Sequence, residues 1–140
     1  MLPILLPGEY EGEGTVVQNE LGSMISFKVD WVVEKPSGHS QVATQVIWMA
    51  GADEPLTNTF TFQKEGDLHV NNSALGEATG KWLSGDNYIS WELNAPPLFE
   101  GFGVIRLIGD TLVFHAEYLS SSSRNEIKGT IRRSVSGGET

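Results

Sequence analysis

Three side chains with acid–base chemistry, Arg106, His115 and Glu117, fall within one short stretch of the chain. Residues 102–119 read as a β-hairpin over Gly109-Asp110, a two-residue turn with glycine first, as a type II′ turn prefers. That turn sets a register. Leu107 faces Leu112, Ile105 faces Phe114 and Gly103 faces Ala116 on one side of the ribbon; Arg106 faces Val113, Val104 faces His115 and Phe102 faces Glu117 on the other. If the second face lines an apolar pocket, burial and mutual charge would suit the arginine, imidazole and carboxylate to proton transfer or to gripping an acidic ligand. If it meets water, the three form an ordinary solvated surface. The more apolar side, with Ile105, Leu112, Phe114 and Ala116, favours the solvated reading.

Other chemistries find little support in the sequence. There is no cysteine, which removes disulfides, thiolate metal sites, iron–sulfur clusters and thiol nucleophiles, and mildly favours a cytoplasmic location. His39, His69 and His115 are the only histidines, and no metal-spaced pair, phosphate-cradling glycine loop or calcium loop occurs, so neither metal nor cofactor is expected. The serine run at 120–123 has no determined histidine–carboxylate partner and reads as a loop. A net charge of −9 repels phosphate backbones and anionic membrane surfaces, so nucleic acid and membrane are not expected partners.

The elements that must position these groups are strands. Ile25, Phe27, Val29, Trp31 and Val33 alternate with Ser26, Lys28, Asp30 and Val32, the spacing of a half-buried strand. Similar runs occupy 9–18, 40–50, 56–64, 67–71, 77–84, 87–93, 102–108, 111–119 and 125–133, separated by turn-forming residues such as Lys35-Pro-Ser-Gly38, Glu65-Gly66 and Ala95-Pro-Pro97. About ten short strands in series, with no amphipathic helix, either pack as two sheets or close on themselves; closure removes exposed edges. Gly12, Gly14, Gly103 and Gly129 lie inside strand patterns, where barrels bend or pack closely. The expectation is one all-β domain over 1–140, an antiparallel up-and-down β-barrel of about eight to ten strands. Its apolar start (1–8) serves as a lid or plug rather than a signal peptide or membrane span, and its tail (134–140) is frayed.

The first strand reads Gly8-Glu-Tyr10-Glu-Gly12-Glu-Gly14, which resembles the G-x-W-x-G-x-G opening of nitrobindin-like barrels and the shorter G-x-W opening of lipocalins, with tyrosine in place of tryptophan. The resemblance implies a calycin-type barrel, lipocalin- or fatty-acid-binding-protein-like, with a central cavity. It also implies a basic side chain from a late strand crossing the aromatic ring, for which Arg132 and Arg133 stand at a suitable place. Nitrobindins hold haem through a histidine near the start of the final strand. The corresponding stretch here, Ser123-Arg-Asn-Glu-Ile127, has none, which argues against haem.

The aromatic side chains mostly fall on apolar sides of their strands and would surround a hollow. The leading expectation is a binding protein for a small hydrophobic or aromatic molecule, with Trp31, Trp48, Phe60, Phe62, Trp91, Phe114 and Tyr118 as wall and Arg106 as a polar anchor. A second reading is a cofactor-independent isomerase, cyclase or hydro-lyase using the same cavity, with His115, Glu117 and Arg106 as its catalytic set. A third is an interaction module with a solid core, which leaves room for a homodimer.

Overall fold

A computed structural model describes residues 2, 4–18, 22–95, 99–119 and 124–134. The expected turn at Ala95-Pro-Pro97 extends into 96–98, outside the described residues, as do the serine loop at 120–123 and the tail beyond Ser134. The described residues form ten strands: β1 (Gly8–Gln18), β2 (Ser23–Val33), β3 (Ser40–Met49), β4 (Leu56–Gln63), β5 (Asp67–Asn72), β6 (Gly76–Ser84), β7 (Tyr88–Ala95), β8 (Phe99–Ile108), β9 (Thr111–Leu119) and β10 (Arg124–Arg133). Each pairs antiparallel with its sequence neighbours, and β10 returns to pair with β1, closing an up-and-down barrel. β8 starts three residues before the expected 102, because Phe99 and Glu100 pair with Ala95 and Asn94 of β7. Those bonds come from a neighbouring strand and leave no trace in the alternation.

The hairpin β8–β9 has the register its turn predicts, with Arg106 opposite Val113, Val104 opposite His115 and Phe102 opposite Glu117. Gly109 has φ +65, and among the described residues none other than glycine has positive φ. This satisfies the type II′ requirement at the first turn position and excludes the type I′ alternative.

Alternation sorts the side chains into two populations. The inward set contains Phe27, Val29 and Trp31 of β2, Phe60 and Phe62 of β4, Trp91 of β7 and Phe114 of β9, all nearly free of solvent. Trp31 stacks on Phe60, Phe60 on Phe62, and Trp91 meets Phe60 edge-on, with ring centroids 5.4 to 5.9 Å apart. These rings pack against one another in the middle of the barrel. Charged residues such as Glu11, Asp30, Lys81 and Arg132 take outward positions, the reverse of the alternation in barrels that cross membranes. No helix among the described residues is long and apolar enough to cross a membrane.

One end of the barrel is filled by the chain's own start. Leu2, Ile4 and Leu5 are buried in the core, and the Leu2 N–H donates to Gln41 Oε1 at 3.1 Å. Gln41 Nε2 in turn donates to the Glu34 carbonyl at 2.9 Å, so a fully buried amide is satisfied on both sides. Tyr10 donates from its hydroxyl to the Leu6 carbonyl at 2.7 Å. The Arg133 guanidinium carbon stands 6.0 Å from the Tyr10 ring centroid and the same group donates to the Pro7 carbonyl. Of the two arginines the sequence offers for this ring, Arg133 has the inward parity and Arg132 points out.

Gly103 shows what the inward aromatics demand. A β-carbon there would fall into the indole of Trp91, its partner on β7. Gly103→Ala therefore displaces a buried ring, and denaturant unfolding should show a loss of about 1–3 kcal/mol, the usual cost of overpacking, with a shift in tryptophan emission. Unchanged stability and emission would mean that Trp91 is not held as described.

Candidate functional site

Strand polarity places the even-to-odd turns (residues 34–39, 64–66, 85–87 and 109–110) at the plugged end and the connections 50–55 and 73–75 at the other. At that second end a cavity of about 280 Å³ opens between the strand ends. Its apolar lining includes Val16, Ile47, Phe60, Val70, Leu93 and Ile127, and its polar lining is Gln18, Asn58, Asn72, Tyr118 and Asn125.

The amides are wired in one direction. Asn72 Oδ1 accepts the backbone N–H groups of Ala74 and Leu75, both at 2.8 Å, in the turn after β5. Its Nδ2 therefore donates, to Asn58 Oδ1 at 2.7 Å, and Asn58 Nδ2 donates to Gln45 Oε1 at 2.8 Å. Asn72, Asn58 and Gln45 are direct cross-strand partners on β5, β4 and β3, so this relay runs around the inner wall as a single row. Near the opposite wall, Asn125 on β10 pairs with Tyr118 on β9 and Gln18 on β1. Asn125 Oδ1 is buried with no hydrogen-bond partner among the described residues. The Trp91 indole N–H lies 3.4 Å from the Tyr118 hydroxyl. Burial raises the Tyr118 phenol above its ordinary value, and the Trp91 contact only partly offsets this.

The sequence-based candidates are distributed unevenly around this cavity. Phe60 and Tyr118 line it. Trp31, Phe62, Trp91 and Phe114 belong to the packed core. Trp48 does not belong to the wall: it is 45 % exposed on the outer face. The inward set of β3 is Gln41, Ala43, Gln45 and Ile47, and a period of two sends Trp48 outward whatever its hydrophobicity. Gln45, Asn58, Asn72 and Asn125 were not anticipated as site residues.

Arg106, His115 and Glu117 share a face, as the turn register dictates, and that face is the outer one. Arg106 is exposed there, so it cannot anchor a ligand inside the barrel. His115 and Glu117 meet a residue from the next strand instead: His115 Nε2 lies 3.2 Å from Glu126 Oε2 and 3.9 Å from Glu117 Oε2. Arg124 donates to Glu117 Oε1 through both Nε and a terminal nitrogen, and Lys128 Nζ stands 3.8 Å from Glu126 Oε1. The Arg124 hydrogen bond and charge hold the Glu117 carboxyl below the ordinary glutamate range. His115, Glu117 and Glu126 each offer a donor atom within 4.8 Å of the others, a set that a divalent cation could bridge. Two cations of the protein already compensate it.

No histidine reaches the inner wall among the described residues. His39 lies exposed between β2 and β3, His69 pairs outside with Glu77 at 3.1 Å, and His115 faces outward as described. The cavity residues therefore do not fit a histidine-held haem.

Comparison with known proteins bears on the fold. No protein-family model matches the chain, and no curated protein sequence does. Among solved structures, the crystal structure of Rv2717c from M. tuberculosis is similar with a TM-score of 0.64 and 15% sequence identity, over 92% of this chain and 92% of that one. At that identity the likeness establishes a shared barrel architecture and nothing of the chemistry.

Two titrations test the electrostatics. Arg124→Met should raise the Glu117 carboxyl towards its ordinary value, read by carboxyl carbon chemical shifts against pH; an unmoved midpoint would remove Arg124 as the cause. Tyr118 and Tyr10 are both raised by burial. The unfolded chain therefore loses these protons first, and stability falls as pH climbs from about 10 towards the folded-state values. Tyr118→Phe should flatten part of that alkaline slope in urea unfolding, leaving the part due to Tyr10; an identical slope would count against a buried phenol.

Proposed function

We propose that the barrel binds a small hydrophobic or aromatic molecule in the cavity at its open end. The supporting observation is the cavity itself, about 280 Å³ with a mostly apolar lining, where the other end of the same barrel is filled by Leu2, Ile4 and Leu5. Protein interiors are ordinarily packed to near-crystalline density, so an apolar volume left at one end is the natural seat of a guest. The volume stands just below the range of about 300–1,000 Å³ usual for ligand pockets, which calls for a compact molecule.

An enzymatic reading of the same cavity lacks its acid–base set. Arg106, His115 and Glu117 are separated from the cavity by the sheet, and among the described residues Tyr118 is the only titratable side chain in the lining. Binding requires no proton transfer and is the reading we retain.

Val70 is buried on β5 and lines the cavity. Val70→Phe fills the space with a ring that adds no fluorescence of its own. Titration of tryptophan emission with two-ring aromatic probes should show binding by the wild-type protein and at least about tenfold weaker binding by Val70→Phe, a loss of about 1.4 kcal/mol. Equal affinities for the two proteins would show that the probes bind elsewhere.

A further inference from the structure

The polar side chains at the cavity, and those missing from it, define the chemical class of its ligand. We infer that the cavity takes an uncharged molecule carrying a carbonyl or similar accepting oxygen, and rejects both anions and cations. This inference rests on the binding reading above and sharpens it.

Along all ten strands, the inward positions among the described residues contain no aspartate, glutamate, lysine or histidine. The one inward cation, Arg133, lies at the plugged end and is engaged with Tyr10 and the Pro7 carbonyl. An ionised ligand at the open end would therefore leave water with no counter-charge to receive it, the costliest form of burial. The polar lining consists of carboxamides and a phenol: Gln18, Asn58, Asn72, Asn125 and Tyr118. These offer hydrogen bonds without charge.

The wiring of the relay adds a preference among neutral groups. Backbone donors claim the Asn72 oxygen and so fix every amide in the row. Each of Asn58 and Asn72 spends one N–H in the relay and keeps a second. On this wall the unspent capacity is mainly that of a donor, which a ligand carbonyl satisfies.

The net charge of −9 acts separately. Its field disfavours an approaching anion and favours a cation, whereas an ion-free cavity disfavours both. The sign of the discrimination therefore distinguishes the cavity from the field.

The test is calorimetric titration of the wild-type protein at pH 7 with four probes on one frame: 2-acetylnaphthalene, 2-ethylnaphthalene, 2-naphthoate and 2-naphthylmethylammonium. The acetyl compound should bind tightest, with the ethyl compound about fivefold weaker for want of one hydrogen bond. Both ions should be at least about 30-fold weaker than the ketone. All binding should be lost or strongly weakened in Val70→Phe. Affinity of either ion equal to that of the ketone overturns the claim of neutrality. Equal affinities of the ethyl and acetyl compounds overturn the role assigned to the amides while leaving cavity binding intact. Absence of binding by all four, the ethyl compound included, defeats the binding reading itself and this inference with it.

Discussion

The pairing of β1 with β10 is the constraint on which the rest of the structure depends. It runs from Tyr10 opposite Arg133 to Gln18 opposite Asn125, joining residues almost the whole chain apart. Closing so long a loop costs more entropy than closing a hairpin, but the cost rises only logarithmically with length. In return the barrel has no free edge, and every strand finds a partner on both sides. The seam is made where two glycines face each other, Gly14 and Gly129. A β-carbon on Gly14 would meet the backbone across the seam and the ring of Phe27. Once the seam is closed, alternation has a global meaning: one set of side chains must share an interior.

That interior is used differently along its axis. At the plugged end, the chain's own leucines and isoleucine occupy the volume, and Gln41 and Tyr10 satisfy the backbone groups they bring with them. In the middle, stacked and edge-on aromatics fill the barrel. At the open end, the polar row Gln45–Asn58–Asn72 is hydrogen-bonded laterally, strand to strand. Amides tied to one another along the wall do not reach across the barrel axis as a phenylalanine does, and Val70 beside them and Val16 on β1 are short. The cavity follows from that choice of residues.

The hairpin register and the strand count were legible because both depend on local chemistry. A glycine-first two-residue turn fixes which residues face each other, and alternating apolar residues mark each strand. The site was much less legible. Polar residues in strands are ordinarily read as outward, yet Asn58 has the parity of Phe60 and Phe62, and Asn72 that of Leu68 and Val70. Extending those parities by one step would have found both. Trp48 shows the converse: a large aromatic suggests an inward position, but Gln41, Ala43, Gln45 and Ile47 hold the inward positions of β3. Glu126, which lies near both His115 and Lys128, belongs to β10, whose sequence link to β9 carries no turn signature that fixes a register. Its partnership required the register of β9 with β10.

That register also accounts for two of the three residues that suggest catalysis in the sequence, His115 and Glu117; Arg106 stands apart, opposite Tyr88 and Val113. Glu117 and Glu126 are direct cross-strand partners on the outer face, and like charges so placed repel. Arg124 engages Glu117, Lys128 approaches Glu126, and the His115 imidazole lies within reach of both carboxylates. The concentration of arginine, histidine and carboxylate is what two facing glutamates need in order to pair within a sheet. Spacing alone did not distinguish it from an acid–base site, because both require the same residue types within the same few ångströms. What separates them is the side of the sheet: outside, water and paired cations satisfy the charges; inside, where a ligand could be held, the chain has placed amides.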